Sequence, residues 1–248
     1  MSRDQDQDEA LLESTDQLVA YFQSGSKPAE ERGLGTEHEK FVFRGDDLQL
    51  TPFDGEGGIE HLFARLSTSF DWGPAPDRGR AVALVRGGEA ITLEPAGQLE
   101  LSGAITKTVF ETAEEFDRHI AELREICPPD YKSVSFGLNP WDDLYTVPLM
   151  PKARYGIMDS YLHTRGDLAR WMMQGTCTIQ ANLDYTSEAD AVSMMRMAVL
   201  ASPLVNALFA NSPIRLGKPT GMQSFRAHIW TCLLYTSPSP RDCVSNLV

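Results

Sequence analysis

Leu93-Glu-Pro-Ala-Gly-Gln-Leu-Glu-Leu-Ser102, taken together with Gly35-Thr-Glu-His-Glu-Lys-Phe41, decides the fold of this chain. Residues two apart on a β-strand share a face. Gln98, Glu100 and Ser102 therefore lie on one side, with Leu99 and Leu101 on the other; Glu37 and Glu39 share a face in the same way. Pro95 and Gly97 stand where a turn or bulge interrupts the ladder. The pattern predicts a sheet with one apolar side and one side carrying carboxylates. Carboxylates packed that closely repel one another unless a cation lies between them. Glu37, Glu39, Glu94 and Glu100 are accordingly candidate oxygen ligands for Mg2+ or Mn2+, of the kind that holds nucleotide phosphates. An ordinary solvated sheet face fits the same spacing, because exposed carboxylates are common.

The chain has 248 residues, 42% of them hydrophobic and 23% charged, enough for one large domain or two small ones. A formal charge of −13 argues against a nucleic-acid partner, which demands a basic surface. It leaves room for ATP, which needs only local cations and a metal. No apolar run is read as approaching the roughly 18 to 20 residues of a membrane span, so no membrane partner is expected. The N-terminus, Met-Ser-Arg-Asp-Gln-Asp-Gln-Asp-Glu9, lacks the apolar stretch of a signal peptide, which makes a cytoplasmic location the expectation. Cys127, Cys177, Cys232 and Cys243 form no CxxC pair and have no His at zinc-ligand spacing; free thiols are expected.

Along the chain, residues 10–24 carry helical spacing (Leu11, Leu12, Leu18, Val19, Phe22) and stop at Gly25. A strand over 35–44 turns at Gly45-Asp-Asp47 into Leu48–Thr51. A short helix follows over 58–68 and a Gly/Pro-rich loop over 73–80. Strands are expected at 81–86, 90–94 and 98–103, with Gly87-Gly-Glu89 as a tight turn. Thr112-Ala-Glu-Glu115 resembles the capped start of a helix ending near 126. Lys132–Gly137 reads as a strand, 139–151 as an irregular loop suited to binding, and 154–173 as helical with a break at Gly166. Thr176–Tyr185 reads as a strand, and Ser187 caps a long helix reaching about Asn211, with Met194, Met195 and Met197 as core filler. A further strand is expected up to Trp230. Short turns rather than crossover helices join the strands, which favours an α+β fold with a mainly antiparallel open sheet and flanking helices.

Several side chains carry candidate chemistry. Lys152 and Arg154, in a loop opening a helix, suit a carboxylate or phosphate; a solvated loop pair fits equally. Gln180, Asn182 and Asp184 alternate opposite Ile179, Ala181 and Leu183, with Thr176 and Thr178 on the polar face, an arrangement able to hydrogen-bond an amino acid or to remain a hydrated strand face. Arg226 and His228 alternate further on, Arg226 as a phosphate contact and His228 as a structural residue. His38 faces away from Glu37 and Glu39 and is expected to pack.

Beyond Cys232 the texture changes to Leu233-Leu-Tyr-Thr-Ser-Pro-Ser-Pro-Arg-Asp242, which resembles translated sequencing-adapter read-through. The expected division is residues 1–231 as the N-terminal part of a catalytic domain and 232–248 as a non-native or disordered tail, with the native gene continuing past this point.

With these segments in place, the chain resembles the plant and proteobacterial type of glutamate–cysteine ligase. The matching motifs are Gly35-Thr-Glu-His-Glu-Lys-Phe, Ile91 to Gly103, Phe136-Gly-Leu-Asn-Pro-Trp, Pro151-Lys-Ala-Arg-Tyr-Gly-Ile-Met, Met173 to Tyr185, Phe209-Ala-Asn-Ser-Pro and Ser224-Phe-Arg-Ala-His-Ile-Trp230. The resemblance implies a glutamine-synthetase-like catalytic fold, incomplete here, and an ATP-dependent joining of glutamate to cysteine through a γ-glutamyl phosphate. It implies Mg2+ (or Mn2+) at Glu37, Glu39, Glu94 and Glu100, and ATP as co-substrate. Lys152, Arg154 and Arg226 are the implied catalytic cations. Gln98, Thr176, Thr178, Gln180 and Asn182 are the implied substrate-binding residues. A ligase using another amine, and a truncated non-catalytic metal-binding fragment, are the alternatives. Oligomeric state is not legible.

Overall fold

The computed structural model describes residues 11–77, 79–162, 164 and 168–232. The expected break at Gly166 and the stretch 233–248, with Cys243, lie outside the described residues, as does the start of the first expected helix at residue 10.

Eight strands form one sheet: β1 (Leu34–Arg44), β2 (Gln49–Leu50), β3 (Gly73–Asp77), β4 (Arg80–Arg86), β5 (Glu89–Leu93), β6 (Leu99–Ser102), β7 (Lys132–Val134) and β8 (Ile179–Leu183). Strand order is β2-β1-β6-β5-β4-β3, with β7 and β8 also paired to β1, and every pairing is antiparallel. β1 is the spine. Glu37 and His38 pair with Ser102 and Leu101 of β6 and also with Gln180 and Ile179 of β8, so β6 and β8 flank β1 on opposite edges. The helices are α1 (Thr15–Ser24), α2 (Ile59–Phe70), α3 (Val109–Ile126), α4 (Ala153–Leu162), α5 (Glu188–Leu208) and α6 (Phe225–Thr231). The α+β fold with an open, antiparallel sheet is as the sequence predicts.

The apolar side of the sheet forms the main core. Leu84, Ile91, Leu93, Leu99 and Leu101 are wholly buried there against Ile59, Leu62, Phe63 and Leu66 of α2 and Leu123 and Ile126 of α3. The i, i+3, i+4, i+7 spacing on α2 is the stripe that a core-facing helix needs. Gly87 and Gly88 close the β4–β5 hairpin between Arg86 and Glu89; Gly87 takes φ +57°, which a Cβ would strain.

Several local expectations are corrected. Gly73–Asp77 is strand β3 rather than part of a loop. Pro74 and Pro76 are admitted because β3 is an edge strand, and the register shifts between Ala75 and Pro76. The cap of α3 is Thr108, not Thr112: its hydroxyl accepts from the Glu111 N–H at 3.2 Å, while the Glu111 carboxylate accepts from the Lys107 and Thr108 amides. Thr108→Ala is expected to lower unfolding free energy by about 1 kcal/mol in urea titration. Residues 225–231 are helical, not extended, because the Ser224 hydroxyl accepts from the Ala227 N–H and caps a turn.

The helix that follows the Ser187 cap is present, but no residue of α5 is buried, and Met195 and Met197 are exposed rather than core filler. α1 likewise buries nothing. At 21 residues, α5 is also long and apolar enough, by length and composition alone, to cross a membrane, which corrects the expectation that no such stretch exists. Glu188, Asp190 and Arg196 crowd toward its start and leave Met197–Leu208 free of charge.

Candidate functional site

The polar side of β1, β6 and β5 gathers the predicted carboxylates. Glu39 lies directly opposite Glu100 on β6, and Glu100 opposite Thr92 on β5. Like charges in opposite cross-strand positions destabilise a sheet. Glu94 leaves the end of β5 in a tight turn: its N–H donates to the Gln98 carbonyl (2.9 Å) and its carbonyl accepts from Gly97 (2.8 Å). Gly97 holds φ +82°, and a Cβ there would lie 2.8 Å from Ile59 Cδ1. Glu100 is buried and accepts from the Ser102 hydroxyl. Glu39 Oε2 accepts from the Thr178 N–H at 2.9 Å, and Glu37 accepts from the Asn182 side-chain amide at 3.2 Å.

Burial, then the charges of Glu94 and Glu100, push the Glu39 carboxyl up to about 8. Burial and Glu100 raise Glu94 to about 7, although Arg154 and Lys152 oppose the rise. Below these values the two carboxyls favour their protonated forms, and a divalent cation would compete with those protons. All the donors are carboxylate oxygens, the chemistry of Mg2+ and Mn2+. Among the described residues no three His, Cys, Asp or Glu side chains form a ready-made cage. An ion that keeps several waters and takes one or two protein carboxylates, as Mg2+ does, needs no such cage.

The raised carboxyls carry a stability consequence. Their folded pKa values exceed the unfolded value near 4.5, so the folded state binds more protons and loses stability as pH rises through that interval. In metal-free buffer the melting temperature is expected to fall between pH 5 and 8, and Mg2+ at pH 8 is expected to recover part of the loss.

The cations have distinct settings. Arg154, on the first turn of α4, places Nη2 3.6 Å from Glu94 Oε1 and 3.1 Å from the Tyr155 hydroxyl. Lys152 is buried and donates to the Leu93 carbonyl at 2.8 Å, so it ties α4 to the end of β5 beside Glu94. Arg226 lies on α6, where it and His228 do not share a strand face. Burial lowers its pKa while the charge of Glu39 opposes, and its guanidinium lies over Trp230, 5.7 Å from the ring centroid. Lys40, which the sequence reading left without a role, is fully buried; its ammonium donates to the carbonyls of His38 and Leu99 and sits 3.1 Å from His119 Nε2. Burial brings its pKa down to about 8 and holds the imidazole of His119 well below its ordinary range, so the ring accepts. His38 packs on Phe116, as expected.

A cavity of about 670 Å³ opens over this face. It brings together Glu39, Glu94, Gln98, Thr176, Thr178, Gln180 and Arg226 from four separate segments. Glu37, Glu100, Lys152, Arg154 and Asn182 are not among its lining residues. Gln98 and Thr176 have structural duties: the Gln98 amide donates to the Thr176 carbonyl (2.9 Å), and the Thr176 hydroxyl donates to the Met172 carbonyl (2.7 Å) at the end of a π-helical turn, Trp171–Gly175. Asp184 is taken up by Lys27 at 2.8 Å and the Gly33 N–H at 2.9 Å. The apolar wall of Ile157, Tyr161, Met172, Met173 and Trp230 escaped the sequence reading. Its one available signal is the i, i+4 pair Ile157 and Tyr161 on α4. A second cleft of about 710 Å³, beside Arg44, Thr51, Tyr131 and Asp142, holds none of the predicted site residues.

Residues 33–247 match the model of glutamate-cysteine ligase family 2. The chain is 40% identical over 217 residues to glutamate–cysteine ligase A, chloroplastic, of Oryza sativa subsp. japonica, covering 86% of this chain and 43% of the relative. The chloroplastic glutamate–cysteine ligases of Nicotiana tabacum (40% identical) and Arabidopsis thaliana (38%) match over the same 86% of the chain and 41% of their own length. The chain therefore spans about two fifths of the curated relatives it matches. Their chloroplastic location overturns the expectation of a cytoplasmic one. That expectation rested on a missing apolar signal segment, but plastid transit peptides are amphipathic and Ser-rich, so the criterion could not detect them.

Proposed function

Because the chain belongs to glutamate-cysteine ligase family 2, we propose that its carboxylate-lined cavity serves the ATP-dependent ligation of L-glutamate to L-cysteine, the first step of glutathione synthesis. The observation that carries this reading is that Glu39 and Glu94 line one cavity together with Arg226, with Glu100 directly opposite Glu39 on the neighbouring strand. The γ-carboxylate of glutamate attacks the terminal phosphorus of ATP and releases ADP. The amine of cysteine, having lost a proton, then attacks the acyl carbon; phosphate leaves with the C–O electron pair and an amide remains. Phosphoryl transfer asks the protein for position and charge balance rather than covalent help.

Glu39 and Glu94, which line the cavity, would hold Mg2+ or Mn2+, with Glu100 opposite Glu39 and Glu37 two residues before it on β1; the ion when bound would neutralise phosphate oxygens. Arg226 supplies a cation to the cavity, and the Thr178 amide fixes the aim of Glu39. Arg154 screens Glu94, while Lys152 anchors the turn that presents it. Gln180 and Thr178 offer hydrogen bonds to an amino acid from β8 and its approach, and Gln98 and Thr176 shape the floor. The apolar wall excludes water, which protects an acyl phosphate from hydrolysis. A plastid setting for this chemistry is supported by the relatives, which are chloroplastic.

The test is ADP release by the purified protein with Mg2+, ATP and glutamate, with cysteine set against other amines. Cysteine should support the reaction at least tenfold better than any other amino acid. A better alternative amine would reassign the acceptor. Cation binding without any turnover would favour the non-catalytic reading.

A further inference from the structure

α5 is a helix anchored at both ends and bare along its length. At its start the Asp190 carboxylate lies 3.8 Å from Arg32, whose other amine approaches Met194 Sδ at 3.7 Å. Just beyond its end, the Asn211 carbonyl accepts from the Gly137 N–H at 2.9 Å, and the Asn211 side chain donates to the Ser135 carbonyl at 3.1 Å. Between these ties Met195, Leu200, Leu204 and Leu208 are each more than 60% exposed. β8, which leads into α5, exposes Ile179 and Leu183 to a similar degree. It pairs only with β1 among the described residues, so its other edge keeps backbone donors and acceptors without a strand partner. A helix apolar around much of its circumference is a helix of a large core or of a bilayer. An open edge beside it is a template for another strand.

We propose that α5 together with the outer face and free edge of β8 is the docking surface for further polypeptide of the same protein type, the portion that the longer relatives have and these 248 residues do not span. Three observations favour this occupant. The matched 217 residues make up only 43% of the rice relative, so more than half of its length is available to cover such a surface. The formal charge of −13 opposes both close association of two copies and approach to an anionic lipid surface. The surface also joins a sheet edge to an apolar helix, and a protein segment can satisfy both where lipid satisfies only the helix. The inference rests on the coverage and the exposure; Ile179 of this face also lines the cavity, so the two surfaces meet there.

The experiment compares the 248-residue chain alone with the same chain mixed with, or fused to, the unmatched portion of the rice relative, read by hydrogen exchange and by ANS fluorescence. Joined to that portion, amides of 179–183 and of 188–208 should exchange at least tenfold more slowly, and ANS fluorescence should fall severalfold. Leu200→Arg should leave the melting temperature of the chain alone within about 1 °C and should abolish the added protection. Unchanged exchange in both the mixed and the fused forms overturns the proposal. So does concentration-dependent dimerisation of the chain alone that protects α5, or protection of α5 by phosphatidylcholine vesicles without protection of β8.

Discussion

Glu39→Gln and Glu94→Gln should each lower glutamate- and ATP-dependent ADP release at least roughly 100-fold, the scale on which loss of one electrostatic element in a preorganised site is felt. Both substitutions keep shape and remove charge. Glu39 faces Glu100 across the β1–β6 ladder, and its carboxyl is pushed up to about 8 by burial and by its neighbours. Removing it relieves that repulsion. The same variant should therefore melt no lower than the parent at pH 8 in metal-free buffer and should flatten the fall in melting temperature between pH 5 and 8. A collapsed reaction in a protein of undiminished stability separates a functional carboxylate from a structural one. A variant that lost both together, or that kept its activity, would remove Glu39 from the site.

Leu99→Ala should produce the largest loss of stability. Leu99 is wholly buried on β6, directly opposite Lys40 and Leu93 on the two neighbouring strands, and packs into the main core. Truncation forfeits transfer energy and leaves a void among rigid neighbours, at a cost of about 2–5 kcal/mol. For a domain of this size that is a fall of roughly 5–15 °C in melting temperature, read by calorimetry. The adjacent Glu100 faces the other way, so Glu100→Gln should cost far less in stability. The pair tests the strict two-residue alternation on which the fold assignment rests.

The central sheet was legible because alternation in a strand is a local property. Glu37 with Glu39, and Gln98 with Glu100, announce their faces within two short segments, and the pairing of Glu39 with Glu100 turns those faces into one surface. What escaped depends on partners distant in sequence. Pro74 and Pro76 read as a loop because nothing local says that β3 sits at the edge. Arg226 lines the candidate cavity by way of a helix where a strand had been expected, since a single capping hydroxyl at Ser224 outweighs an apparent alternation. Met195 and Met197 read as core because apolar content reports what a helix needs, not whether its cover is present. Lys40 passed unnoticed because only the fold brings His119 to it, across 79 positions of sequence.

The two prolines of β3 give the sheet a direction. Pro74 and Pro76 have no N–H to offer a newcomer, and the register shift beside them twists that margin away. β8, at the opposite extreme, contains no proline and keeps its ladder groups. Growth of this sheet, in native assembly or in error, can therefore proceed from one side only. Misassembly of the isolated chain should be terminated by a proline placed in β8 and should be indifferent to one added in β3.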